Sequence, residues 1–92
     1  MIKTFAHKGL ERFFRYGEKA SLSAKFLPRL ERMLDRLNGV AEPRDMNLPG
    51  YAFHRLKGSR KDIYSVKISG NWRLTFRFEA GHAYDVNLED YH

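Results

Sequence analysis

Hydrophobic positions along this chain follow two regimes, helical in the first half and alternating in the second. Ile2 to Phe5 alternate weakly, as a short first strand would. From His7 the spacing changes. Leu10, Phe13 and Phe14 recur at helical intervals, and Gly17 offers a left-handed stop. Residues 21–39, SLSAKFLPRLERMLDRLNG, carry the strongest helical stripe, with Phe26, Leu27, Leu30, Met33, Leu34 and Leu37 on one face. Ser23 is the candidate N-cap and Gly39 the candidate stop. Pro28 conflicts with that start. In a second turn it would cost a backbone hydrogen bond, so the helix either kinks there or begins later. The opposite stripe, Lys25, Arg29, Arg32 and Arg36, reads first as a solvated face.

Residues 40–50, VAEPRDMNLPG, have two prolines, a glycine and little periodicity, which predicts a loop. Alternation follows. In DIYSVKIS, Tyr64, Val66 and Ile68 share a face. In NWRLTFRFE, Trp72, Leu74, Phe76 and Phe78 point one way, with Arg73, Thr75 and Arg77 opposite. In HAYDVNLE, Tyr84, Val86 and Leu88 repeat the pattern. Gly70-Asn71 and Ala80-Gly81 mark the turns of a three-stranded antiparallel meander. The expected fold class is α+β: two N-terminal helices packed on one face of a small antiparallel sheet, the other face open, in a single domain over residues 1–92.

Composition narrows the function. Ninety-two residues suffice for one modest core. The absence of cysteine excludes disulfides and thiolate metal sites. No apolar run is long enough for a signal peptide or a membrane span, which predicts a cytoplasmic protein with no membrane partner. A formal charge of +6 and a pI near 9.8 favour a polyanion or an acidic protein as partner.

The expected open face gives that charge a place. It carries Arg73, Thr75 and Arg77, and two segments can reach its edge: HRLKGSRK, His54 to Lys61, and the chain end Asp90-Tyr91-His92. The first holds Arg55, Lys57, Arg60 and Lys61 and no acid, while Gly58 and Ser59 let backbone approach a phosphate. Arg73 offers a planar fork for phosphate, and His54 and His92 are proton carriers at neutral pH. Metal-free RNA cleavage needs a group to take the 2′-OH proton, cations for the crowded phosphorane and a group to protonate the leaving 5′ oxygen. Plainer readings stand beside these. Lys57 is a solvated loop lysine, Arg73 covers the sheet, Tyr91 plugs the core edge, His7 starts a helix and His82 sits in a hairpin turn. No H-x-x-x-H pair or spaced carboxylate cluster is present, so neither a metal nor another cofactor is expected. These patterns reach a basic α+β domain with parts suited to RNA chemistry, and no further.

Four stretches together are more specific. The opening MIKTF-HKGL, the run HRLKG-R, the strand NWRLTFRF and the ending NLEDYH resemble the HigB toxins of bacterial toxin–antitoxin pairs, within the RelE/ParE superfamily. The resemblance runs from Met1 to His92. It implies a RelE-like fold and a metal-independent mRNA endoribonuclease acting on translating ribosomes. It also implies a HigA-type helix-turn-helix antitoxin as partner, through which alone operator DNA is met. Carried over by position, the catalytic set would be His54, Lys57, Arg73, Tyr91 and His92. Asn71 and Asp90 match supporting positions, and Arg55, Arg60, Lys61 and Arg77 complete an expected RNA-binding surround. Arg73 and Lys57 would hold the scissile phosphate, His92 would move the main proton, Tyr91 would position the nucleotide or share that work, and His54 would be a second acid–base group or a phosphate contact. Two rivals stand beside this reading. One is a ParE-like gyrase inhibitor on the same fold, in which His54, Lys57, Tyr91 and His92 would be idle. The other is a non-enzymatic basic nucleic-acid-binding module.

Overall fold

The computed structural model describes residues 1–19 and 21–90. Helix α1 spans Lys8–Tyr16 and α2 spans Leu27–Gly39. The strands are β1 (His54–Arg55), β2 (Ile63–Ser69), β3 (Trp72–Glu79) and β4 (His82–Asp90). They form one antiparallel sheet in the order β1-β2-β3-β4. Both helices pack on one side of it, giving the α+β architecture expected. The fourth strand, β1, is two residues long, too short to leave an alternation in the sequence. The opening segment adds to the far edge as isolated parallel bridges, Ile2 to Ala83 and Phe5 to Val86.

Helix α1 begins where His7 Nδ1 accepts the Leu10 N–H at 3.1 Å and ends at Gly17 in the left-handed region at φ 73°. His7 is thus a capping residue. The conflict at Pro28 resolves by a later start. Ala24–Phe26 form a 3-10 turn, and Pro28 falls in the first turn of α2, where its missing N–H costs nothing. Leu30, Met33, Leu34 and Leu37 then bury against Val66, Leu74, Phe76 and Val86 of the sheet. Burying a side chain of that size contributes about 1.5–3 kcal/mol, so these positions are what join the two layers. Met46, within the 3-10 turn Pro43–Met46, is also buried.

The face of β4 differs from the simple alternation. Arg77 pairs with Tyr84 and Thr75 with Asn87, so Asp85 and Val86 together oppose Phe76. This bulge puts Asp85 at φ 54°, and its N–H donates to the Thr4 hydroxyl at 2.8 Å. One extra residue reverses the phase. Ala83, Val86 and Leu88 pack toward the core, while Tyr84 stands on the other face with the Arg77 guanidinium 4.9 Å from its ring centroid. Tyr84 therefore leaves the apolar set to which alternation assigned it.

The helix stripe is also more than a solvated face. Arg29 donates to the carbonyls of Gly50 at 2.7 Å and Lys67 at 3.0 Å and lies over Tyr51. Arg36 donates to Asp45 O at 3.0 Å. Both tie the 40–50 loop to the layers, whereas Arg32 is exposed. Replacing Arg29 by Ala should therefore lower unfolding stability by about 1–2 kcal/mol, against less than about 0.5 kcal/mol for Arg32→Ala. Urea denaturation of the two variants reads the difference, and equal midpoints would mean that the Arg29 bonds contribute nothing.

Candidate active site

Sheet register assigns the chemistry-bearing residues to the face away from the helices. His54 is the cross-strand partner of Ser65, Ser65 of Thr75, and Lys67 of Arg73. Residues paired this way project to the same side. Arg73 leans back along the strands so that its Nη1 donates to Ser65 Oγ at 3.0 Å. His54 and Arg73 thus flank one buried hydroxyl. The His54 ring is exposed, with Nδ1 3.3 Å from the Ala52 carbonyl oxygen.

This face is not as open as the alternation suggests. Ser65 is wholly buried and Thr75 is 2 % exposed, although both are polar and point away from the core. Beyond β1 the chain forms a 3-10 turn, Gly58–Arg60, whose reversal uses Gly58 at φ 71°. From that turn Arg60 reaches β4 and grips Glu89 with both arms of its guanidinium, at 2.9 and 2.7 Å. The Thr75 hydroxyl donates to the same carboxylate. Lys57, immediately before the turn, is exposed. A shallow hollow of about 200 Å³ is lined by His54, Arg55, Leu56 and Lys57.

Glu89 is an acid within a surround expected to be basic. The Arg60 bond is the main cause holding its carboxyl below the ordinary 4.5. Partial burial opposes that, and the Thr75 and Asn87 bonds reinforce it. Glu89 is consequently ionised at neutral pH. It was absent from the expected site, although its phase was visible: it alternates with Leu88 in NLED and so shares the side of Asn87.

The remaining candidates separate. Asn71 lies in the exposed β2–β3 turn, and Asp90, paired with Trp72, ends β4 at the same edge of the sheet as Arg73. Lys61 is exposed beside the Gly58–Arg60 turn. Arg55 points oppositely to His54. It lies over Tyr64, donates to Lys61 O and pairs with Asp62 at 3.6 Å. Arg77 stands four residues along β3 from Arg73, roughly 13 Å away. It is bound to Glu79 and Asp85, and those bonds, Glu79 first, raise its affinity for its proton. Arg55 and Arg77 share a separate hollow with Asp62 and Glu79. Tyr91 and His92 lie outside the described residues. Among the described residues, no three His, Asp or Glu side chains converge as a metal site requires. His82 opens β4 with its Nδ1 buried and without a hydrogen-bond partner among the described residues.

Chemically, the face and the turn beside it offer a guanidinium held by a buried hydroxyl, an exposed ammonium and an exposed imidazole. That set suits a phosphodiester.

Comparison with known proteins agrees. A family model described as the RelE-like toxin of type II toxin–antitoxin system HigB matches residues 3–92. The Endoribonuclease HigB of Proteus vulgaris is 39 % identical over 92 residues, covering the whole of both chains.

The Glu89 contacts give a sign-definite pH dependence. Its folded carboxyl titrates below its unfolded value, so its contribution is present above about pH 4.5 and is lost as pH falls through the folded value. Wild type should melt above Glu89→Gln at pH 7, and the gap should close in acid. Melting curves from pH 7 to pH 3 test this, and a gap that widened in acid would reverse the sign.

Proposed function

The chain belongs to the HigB family of RelE-like toxins of type II toxin–antitoxin systems, and from that premise we propose that it is an endoribonuclease that cuts mRNA on translating ribosomes without a metal ion. The observation that supports this most is the pairing of His54 and Arg73 around Ser65, on the face over which the Lys57 turn folds. A gyrase binder would need no proton carrier or phosphate fork there.

In the proposed reaction one base takes the ribose 2′-OH proton, and O2′ attacks the adjacent phosphorus. The bond to the 5′ oxygen breaks, and an acid returns a proton to that oxygen. The upstream product ends in a 2′,3′-cyclic phosphate and the downstream product begins with a 5′-OH. Arg73, held by Ser65, and Lys57 neutralise the charge that grows on the phosphoryl oxygens. His92 carries the main proton and Tyr91 positions the nucleotide, both assignments resting on family position, while His54 serves as the second acid–base group. An antitoxin of the HigA helix-turn-helix type neutralises the toxin and holds the operator.

Primer extension on a defined mRNA in a purified translation system, with and without ribosomes, tests this reading. Cleavage should need ribosomes, and Arg73→Ala should slow it by about 100-fold or more, as expected when a fixed donor to transition-state charge is lost. His92→Ala should slow it by a comparable factor, about 100-fold. Intact cleavage in both variants would remove these residues from the site. Absence of cleavage together with inhibited DNA supercoiling would favour the gyrase-binding reading.

The ends of the fragments form a separate check. End mapping should find 2′,3′-cyclic phosphate or its 3′-phosphate hydrolysis product upstream. A 3′-OH upstream with a 5′-phosphate downstream would exclude attack by the 2′-OH.

A further inference from the structure

Arg60 lies in a cluster that sequence alone would assign to RNA binding. Its geometry says otherwise. Both of its arms engage one carboxylate, and that carboxylate also accepts from Thr75. The Glu89 side chain is only 20 % exposed. Moving Arg60 onto an RNA phosphate would leave Glu89 charged, poorly solvated and facing a polyanion. The pair is therefore better kept than exchanged.

The span of the pair explains what it does. The turn hangs from β1 and β2, where the Leu56 N–H donates to Ile63 O at 2.8 Å and the Leu56 side chain is buried. Glu89 is on β4, two strands farther across, roughly 10 Å. A turn fixed only at its base would swing. Arg60 ties its outer end to β4 through Glu89, whose carboxylate also accepts from Thr75, and Lys57 lies three residues before Arg60, at the entry to the turn.

We propose that Glu89 is a positioning residue: acting through Arg60, it latches the turn that carries Lys57 onto the sheet, so that Arg60 serves as a strut and not as an RNA ligand. This rests on the ribonuclease reading above.

A double-mutant cycle over Glu89→Gln and Arg60→Ala tests the latch, read as single-turnover mRNA cleavage against programmed-ribosome concentration. Each variant should lose about tenfold in maximal rate, and the double variant should lose no more than either. The half-saturating ribosome concentration should stay within about twofold, because ground-state binding does not depend on the latch. Amide hydrogen exchange should quicken at residues 57–61 and stay unchanged in β3 in both single variants, which separates a loosened turn from a destabilised fold. If Glu89→Gln does not fold, Arg60→Ala opens the same latch from its more exposed end, and the same two readouts apply. Multiplicative losses in the double variant, or a raised half-saturating concentration for Arg60→Ala with wild-type rate for Glu89→Gln, would make Arg60 an RNA ligand and overturn the inference. Wild type that cleaves while Glu89→Gln matches it also overturns it, leaving the nuclease reading intact. Wild type that does not cleave overturns that reading itself.

Discussion

The polar face depends on one ionised carboxylate, Glu89, inserted among cations. A sheet face lined with Arg60, Arg73 and Lys57 would repel itself and leave Thr75 and Ser65 to water. Glu89 neutralises one guanidinium, accepts from Thr75 and holds the 57–61 turn down as a cover. Burial alone would push its proton affinity up, and the Arg60 bond outweighs that. The charge of the site is thus arranged in two tiers. The Arg60–Glu89 pair forms one tier, and Arg73, whose Nη1 donates to Ser65 Oγ, forms the other with the exposed Lys57.

A second constraint works from the opposite edge. The bulge at Asp85 lets β4 present Val86 to the core and, one turn of phase later, Asn87 and Glu89 to the polar face. The same bulge holds the N-terminal segment through Thr4 and the Arg77 guanidinium through the Asp85 carboxylate. Without the extra residue, the in-phase partners of Phe76 and Thr75 would shift, and Glu89 would not lie beside Thr75. The site at one end of β4 is therefore registered by an irregularity at the other.

These two features mark the limits of what was legible in the sequence. The α2 stripe and the alternation of β3 were readable because each is a long run in which burial imposes one period. The start of α2 was readable as a conflict, since Pro28 permits only a first-turn position or a kink. The side taken by Tyr84 was not, because a bulge inserts a residue with no compositional mark beyond an ordinary Asp. Within the site, His54, Lys57 and Arg73 were legible as side-chain types in basic or alternating stretches. Ser65 and Glu89 were not. Their importance lies in the atoms they meet across the sheet, and a serine in a strand or a glutamate near a terminus signals nothing until register is known.

Net charge was read as a pointer to polyanions, and the structure shows where it is placed. Arg15 is paired with Glu11, Arg44 with Glu42, Arg55 with Asp62, Arg60 with Glu89, and Arg77 with Glu79 and Asp85. Arg29 and Arg36 are held by carbonyls. Four arginines, Arg29, Arg36, Arg55 and Arg60, fasten loops to the helix and sheet layers, a use that suits a planar fork with fixed donors. Lysines such as Lys57, Lys61 and Lys67 are left exposed around the polar face, where a flexible ammonium can follow a phosphate as its charge grows. Formal charge counts both kinds equally, whereas phosphate does not. The acids of these pairs are already subtracted in the net +6, so pairing leaves that excess intact and only settles where on the surface it lies.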